Sequence, residues 1–330
     1  MTSPGPIPFR PRGWNFDTYH AESFETTNPE SFLARIGGAR FVGPMTRHYH
    51  ARWDTLTVDS LGIASGSATM PVIQHAKIPP LRIFTFTTGP AAPRRFDGRT
   101  LGAGAMYLHR PNEEALCTPT TNDPWPFALV AMPEDDFRAA AAALHPGAVL
   151  ADNDAHVLAC DPAPMARLVR LAADAARLVR DHPEIAEREA AAQALRGVVQ
   201  SALLDCLATG HAETVRRALH RARALARRLT ALGWEQPETL LSIPDVATRL
   251  GVPASTLNEA CQEILGMSTL QYIRGVRMAR VRQMLLRAEV AGVTEAATQL
   301  GFWELGRFAV AYQARYEEKP SETLRRASGR

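Results

Sequence analysis

The spacing of apolar residues along the chain changes its period as the sequence runs on. From about Thr46 to Met132, short β-branched and aromatic runs (TLTVDSLGIA, LRIFTFTT and FALVAM) are interrupted by Gly and Pro. Many short strands with frequent punctuation predict an all-β barrel or sandwich. Within this region GRTLGAGAMYLHRPNEE reads as a turn, a strand and another turn. From Asp135 to about Thr209 the composition shifts to Ala, Leu and Arg. Here MARLVRLAADAARLV and AEREAAAQALRGVVQSALLDCLA place apolar residues at helical spacing, with Pro164 and Pro183 near their starts. Two such helices present an apolar stripe, to be covered by a neighbouring domain or by a second copy of the chain. Beyond Ala212 the pattern is helical to the end: ETVRRALHRARALARRLTAL, IPDVATRL, STLNEACQEIL, TLQYIRGVRMARVRQMLLRA, TEAATQL and ELGRFAVAYQARY.

Inside the last region one phrase is written twice. ATRLGV at Ala247 to Val252 returns as ATQLGF at Ala297 to Phe302, fifty residues on. A helix-turn-helix needs a small residue where its helices cross, a residue able to turn left-handed between them, and an apolar anchor beneath the second helix. Ala247, Gly251 and Leu257 supply these roles first; Ala297, Gly301 and Phe308 supply them again, with one extra residue in the second turn. Cys261 and Tyr312 close the two second helices. Between the copies, residues 268–287 read as one helix spanning about 30 Å at ~1.5 Å per residue. That is close to the ~34 Å between major-groove faces one duplex turn apart, so one chain could place two recognition helices in successive grooves.

Composition adds a partner to this picture. The 330 residues favour more than one domain. Net charge is only +3, but residues 214–330 hold 18 Lys+Arg against 11 Asp+Glu, while residues 1–213 hold 19 against 23. Nearly all of the basic residues are arginine, which forks onto phosphate oxygens. A basic helical domain on an acidic remainder points to nucleic acid. No apolar run reaches about 18 residues, and MTSPGPIPFRPRG lacks the order of a signal peptide, so a cytoplasmic protein with no membrane partner is expected. The four cysteines (Cys117, Cys160, Cys206 and Cys261) form no CxxC pair, which argues against a disulfide framework or a zinc site.

Residues 214–328 resemble the DNA-binding domain of the AraC/XylS family of bacterial transcription regulators. The stretches that carry the resemblance are IPDVATRLGVPASTLNEACQEILGMSTLQYI, RMARVRQMLL and VTEAATQLGFWELGRFAVAYQARYEEKPSETLRR. The resemblance implies seven helices forming two helix-turn-helix subdomains joined by a linker helix, and a separate regulatory domain that in many members is a cupin-like β-barrel. YLHRPNEEALCTPTTNDPWPFALVAMPEDDF is similar to that barrel's later strands. The expected architecture is therefore an arm (1–45), an all-β cupin-like sensing domain (46–135), a helical connector that dimerises (136–212), and an all-α DNA-binding domain (213–330). Its motifs fall at about 243–265 and 293–316.

Carried over position by position, the second recognition helix presents Glu304, Leu305, Gly306 and Arg307 to the groove. Arg307 is the expected base reader, since a guanidinium fits guanine O6 and N7, with a phosphate clamp as the alternative. The first presents Ala254, Ser255, Thr256, Asn258, Glu259 and Gln262. Several positions depart from the family. Glu259 and Ala260 stand where basic residues are usual, Cys261 replaces an aromatic, Thr269 a Pro and Glu317 a helix-ending Gly. An acidic face repels phosphates, although Glu can accept from cytosine N4. On the linker, Arg274, Arg277 and Arg280 fall nearly on one face, with Arg277 taken as a DNA contact and a solvated face as the alternative.

In the strand region, His48 and His50 of RHYHARWD and His109 of YLHRP invite an iron-site reading, but no Glu follows His50 at the spacing cupin enzymes use. No metal, cofactor or catalytic residue is assigned, and the chain is not read as an enzyme. Trp53, Phe84, Phe86, Tyr107 and Trp125 are candidates for a pocket wall or for plain core. The expected partners are double-stranded DNA, a small-molecule effector, a second copy of the chain, and RNA polymerase if the protein activates transcription. The rival is a cupin-type metalloenzyme with a helical appendage, which iron content after purification would separate. The sequence names neither the effector, nor the operator, nor the sign of regulation.

Overall fold

The structure is a computed structural model that describes residues 20–28, 31–32, 39–42, 49–69, 73–77, 80–90, 93–111, 113–118, 121, 123–145, 157–186, 188–212, 217–240 and 242–328. The first half is built of strands: β1 (His20–Thr26), β2 (Ala39–Val42), β3 (Ala51–Val58), β4 (Leu61–Ala68), β5 (Ile73–Lys77), β6 (Leu81–Thr87), β7 (Arg94–Phe96), β8 (Arg99–Leu101), β9 (Ala105–His109), β10 (Glu114–Thr118) and β11 (Trp125–Pro133). They lead into α1 (Glu134–Leu144), β12 (Val157–Ala159), α2 (Pro162–Asp181), the single turn α3 (Pro183–Ala186), α4 (Glu189–Thr209) and β13 (His211–Ala212). One sheet runs β1-β3-β4-β11-β6-β9-β12-β13 and the other β2-β5-β10-β7-β8. TLTVDSLGIA, one run in the sequence, is a hairpin broken at Asp59, whose φ of 48° turns the chain back.

Period-2 alternation assigns the two faces of the larger sheet. Trp53, Tyr107, Trp125, Phe127 and Leu129 point inward and meet Phe96, Leu101, Ala115 and Cys117 of the smaller sheet in a shared core. Their neighbours Phe84, Phe86, Met106, Leu108, Ala128 and Val130 point outward, against Leu168, Ala172 and Ala175 of α2 and Val199, Ala202, Leu203 and Cys206 of α4. The five aromatics considered as a pocket wall therefore divide between two cores, and the apolar stripes of α2 and α4 are covered by the chain's own sheet. The strand region also draws on more chain than 46–135: β1 and β2 lie in the expected arm, and β12 and β13 in the expected connector.

The second half is helical: α5 (Arg217–Glu235), a 3-10 turn (Pro237–Thr239), α6 (Ile243–Leu250), α7 (Ala254–Ala260) continuing as a π turn (Cys261–Leu265), α8 (Thr269–Leu286), α9 (Val293–Gln299), α10 (Leu305–Tyr316) and α11 (Pro320–Ala327). Its apolar residues form two cores. Leu225, Leu229, Val246, Leu257, Ile264 and Tyr272 build one around α6 and α7. Met278, Val281, Leu285, Ala296, Phe308 and Tyr312 build the other around α9 and α10. The linker α8 contributes to both. Its 18 residues rise about 27 Å.

Of the two described histidines considered for iron, His50 pairs with Glu25 (2.7 Å), whereas His109 lies in the inner core. His109 Nε2 meets Thr85 Oγ1 at 2.9 Å, and its ring stands edge-on to Tyr107 and Phe96. His48 lies outside the described residues, among which no three His, Cys, Asp or Glu residues cluster as a metal site would require. Burial pushes the His109 imidazole down to about 4 from its ordinary 6.5. The folded state thus holds His109 neutral while the unfolded chain takes up a proton as pH falls below 6.5, so stability drops between about pH 6.5 and 4. Urea melts should show the wild type losing about 2 kcal/mol more than His109→Gln between neutral pH and about pH 5.

Candidate nucleic-acid interface

Both repeated phrases fold into the same turn. In the first, Ser242 caps α6 by accepting from Asp245 N (3.2 Å), and the helix ends at Gly251 with φ 68°. Val252 N then donates back to Ala247 O (3.0 Å). In the second, Gly301 turns at φ 71° and Phe302 N donates to Ala297 O (2.9 Å). A side chain at either glycine would sit in the left-handed region that L residues avoid. Ala247 and Ala297 are buried at the crossings, Leu257 and Phe308 under the second helices, and Cys261 and Tyr312 close them.

The faces left outside are largely those expected. Ala254, Ser255, Thr256 and Glu259 are exposed on α7 and Gln262 on the π turn that continues it, and Glu304, Leu305, Gly306 and Arg307 on α10 and at its cap. Arg307 lies 2.9 Å from Glu304 in an exposed ion pair, a type worth little and readily exchanged for phosphate or base contacts.

Two assignments need correction. Asn258 is half-buried, and its Oδ1 accepts from Thr269 N (3.1 Å), capping the linker helix rather than facing a groove. That bond exists because position 269 is not proline, which has no N–H. The same Thr269 donates its hydroxyl to Cys261 Sγ (3.3 Å), so two departures from the family pattern meet in space. Arg277 is the second correction. It is buried, donates Nε to Leu300 O and lies 4.7 Å over the Phe302 ring, where desolvation lowers its pKa. Its role is to clasp the turn of the second motif onto α8. Arg282 is buried too, reaching Glu318 (2.7 Å) and the Tyr316 ring (4.4 Å). Arg280 pairs with Glu289 at 3.0 Å. Of the three linker arginines expected on one face, only Arg274 is exposed.

Sequence reasoning missed the contact that joins this domain to the strands. Asp97 and Gly98 form the two-residue turn of the β7–β8 hairpin, both with positive φ (50° and 79°), as an Asp-Gly turn of this class requires. The turn is driven into the helical domain. A Cβ on Gly98 would stand 2.6 Å from Ile264 Cδ1, and Arg95 Nη2 donates to Glu263 O (2.6 Å) at the end of the first recognition helix. The Asp97 carboxylate is wholly buried. It accepts from Tyr107 Oη, Leu116 N (3.2 Å) and Arg223 Nη2 (2.7 Å), and lies 3.5 Å from Arg227 of α5. Glu113 pairs with Arg227 at 3.4 Å. The Asp-Gly dipeptide between strand-like residues was the legible signal for the hairpin; nothing local announced its destination.

A family model described as a helix-turn-helix domain matches residues 246–326. The probable thc operon regulatory protein of Rhodococcus erythropolis is 39% identical over 87 residues, 26% of each chain. The XylDLEGF operon transcriptional activator 1 of Pseudomonas putida is 27% identical over 161 residues, 48% of this chain and 46% of that one. The chain thus spans less than half the length of these relatives. A crystal structure of a probable AraC family transcriptional regulator from Rhodopseudomonas palustris is similar at 28% identity, covering 32% of this chain and 97% of that one with a TM-score of 0.29.

The two neighbouring arginines of α8 should behave oppositely. Arg277→Ala leaves Leu300 O without its charged donor and should lower the stability of the second motif by about 1–3 kcal/mol. Arg274→Ala should leave the melting temperature of the full chain within a degree or so. Thermal denaturation of both variants checks the contrast.

Proposed function

We infer that this chain is an AraC/XylS-type helix-turn-helix regulator, that it binds duplex DNA sequence-specifically through α7 and α10, and that it controls transcription rather than catalysing a reaction. The observation that carries the reading is the same glycine-turned motif built twice, with both recognition faces exposed and one helix of about 27 Å between them. The second motif is the principal base reader through Arg307, and the first contributes positioning with an acidic edge at Glu259. No described helix is long and apolar enough to cross a membrane, which suits a protein working on DNA in the cytoplasm.

A small-molecule effector held within the strand domain, whose two sheets we read as a cupin-like chamber, would control this binding. Tyr107 supports that reading. Its ring stacks in the inner core against Phe96 (4.8 Å) while its hydroxyl donates to Asp97, the carboxylate that holds Arg223 of α5. A ligand that moved Tyr107 would therefore alter the grip on the first motif. Self-association through the connector (136–212), by a surface other than the apolar stripes that the sheet covers, would put four motifs on DNA and favour an operator of two half-sites. Contact with RNA polymerase follows if the protein activates.

Two experiments test these assignments. Binding to a cognate duplex should fall by orders of magnitude from low to moderate salt. Arg307→Ala should cost about 1–3 kcal/mol and relax preference at one guanine, whereas Glu259→Ala should leave affinity unchanged or raise it. A uniform loss across all sequences for Arg307→Ala would reduce that residue to a phosphate contact. For the coupling, Asp97→Asn and Arg223→Met should each destabilise the full chain by about 3–5 kcal/mol, and the double variant by clearly less than their sum. Strict additivity in denaturant melts would mean that the pair does not link the domains.

A further inference from the structure

The outward side of the second recognition helix carries an apolar ridge. Among the described residues the exposed large hydrophobic side chains are Leu144, Val198, Leu270, Trp303, Leu305 and Val310, and three of the six stand on α10 or immediately before it. Trp303 is 78% exposed and Val310 70%. Val310 stands on α10 facing away from buried Phe308 and Tyr312, and Trp303 stands in the turn, two residues before the helix begins at Leu305. Gly306, Ala311 and Ala314 between and beside them are small and exposed, so the ridge is narrow and its backbone can approach a surface closely.

Trp303 lies in the turn that is one residue longer in the second motif than in the first. Packing does not call for an indole there, because Phe302 and Phe308 already fill the turn with rings 5.1 Å apart. What the position offers is access. Residues at the N-terminal end of a recognition helix reach the base edges, and the apolar group that the major groove presents is the thymine C5-methyl. The groove is about 12 Å wide and admits a single helix, which suits a ridge one helix across, whereas a protein partner would call for a broader apolar face.

We propose that Trp303 is a specificity-determining residue, its indole seated on a thymine methyl next to the base pair read by Arg307. The proposal rests on the DNA-reading assignment above and adds to it an apolar requirement that the charged residues do not encode.

The test begins with selection of duplexes from a randomised library by the full-length protein, followed by replacement of each thymine of the enriched site with deoxyuridine, which removes only the methyl. At one position beside the Arg307-dependent guanine, deoxyuridine should weaken wild-type binding about three- to tenfold. Trp303→Ala should bind the unmodified site weaker by a similar factor and lose its response to that methyl, while Trp303→Phe should keep it. Trp303 is exposed, so both variants should melt with the wild type. Unchanged methyl sensitivity in Trp303→Ala overturns the proposal, as does normal DNA affinity combined with lost transcription, which would make the ridge a protein-docking surface. If no sequence is enriched at all, the DNA-reading assignment fails, and the proposal with it; enrichment without a Trp303-dependent methyl effect overturns the proposal alone.

Discussion

A carboxylate with no exposure to water can persist only if cations and hydrogen-bond donors replace its hydration, and Asp97 meets that condition from both halves of the chain. Tyr107 and the Leu116 amide come from the strands, Arg223 and Arg227 from the first helix of the C-terminal domain. Because Asp97 sits in a tight hairpin turn, satisfying it also fixes where that turn lies. Leu116 of β10, whose amide donates to Asp97, lies in the core of the first helix-turn-helix subdomain, and Arg95 beside the turn donates to the carbonyl of Glu263. The first recognition helix is thus partly a product of the strand domain's surface.

The two motifs consequently differ in their surroundings despite their common turn. The first shares its core with β10 and ends against the β7–β8 hairpin. The second is held by α8, α9 and α11 through Arg277, Arg282 and the Tyr312–Thr323 hydrogen bond (2.9 Å). Among the described residues the strand domain meets the first motif directly, and its β2 meets the linker α8.

Arginine supplies much of this architecture, which changes how the charge of the C-terminal segment should be read. Arg223, Arg277 and Arg282 are buried, and their guanidiniums serve carboxylates, carbonyls and aromatic rings inside the protein. Arg228 likewise donates to Leu250 O at 2.8 Å. The excess of positive charge therefore overstates what faces a phosphate backbone. A planar group with five donors can clasp several elements at once, and the sequence does not distinguish such a clasp from a DNA contact.

Local chemistry made the motifs legible. A left-handed turn demands Gly251 and Gly301, a close helix crossing demands Ala247 and Ala297, and these requirements hold wherever the segment is placed; the strands announced themselves by alternation for the same reason. Positions whose role depends on a distant neighbour were not legible. Asn258 turned from reader to cap because Thr269 offered an N–H, Arg277 was claimed by Leu300 and Phe302, and β1, β2, β12 and β13 joined sheets from segments expected to be arm or connector. Asp97 carried only the signal for a hairpin. Its burial between two domains required the folded chain, because the cost of an uncompensated buried charge is settled by partners more than a hundred residues away.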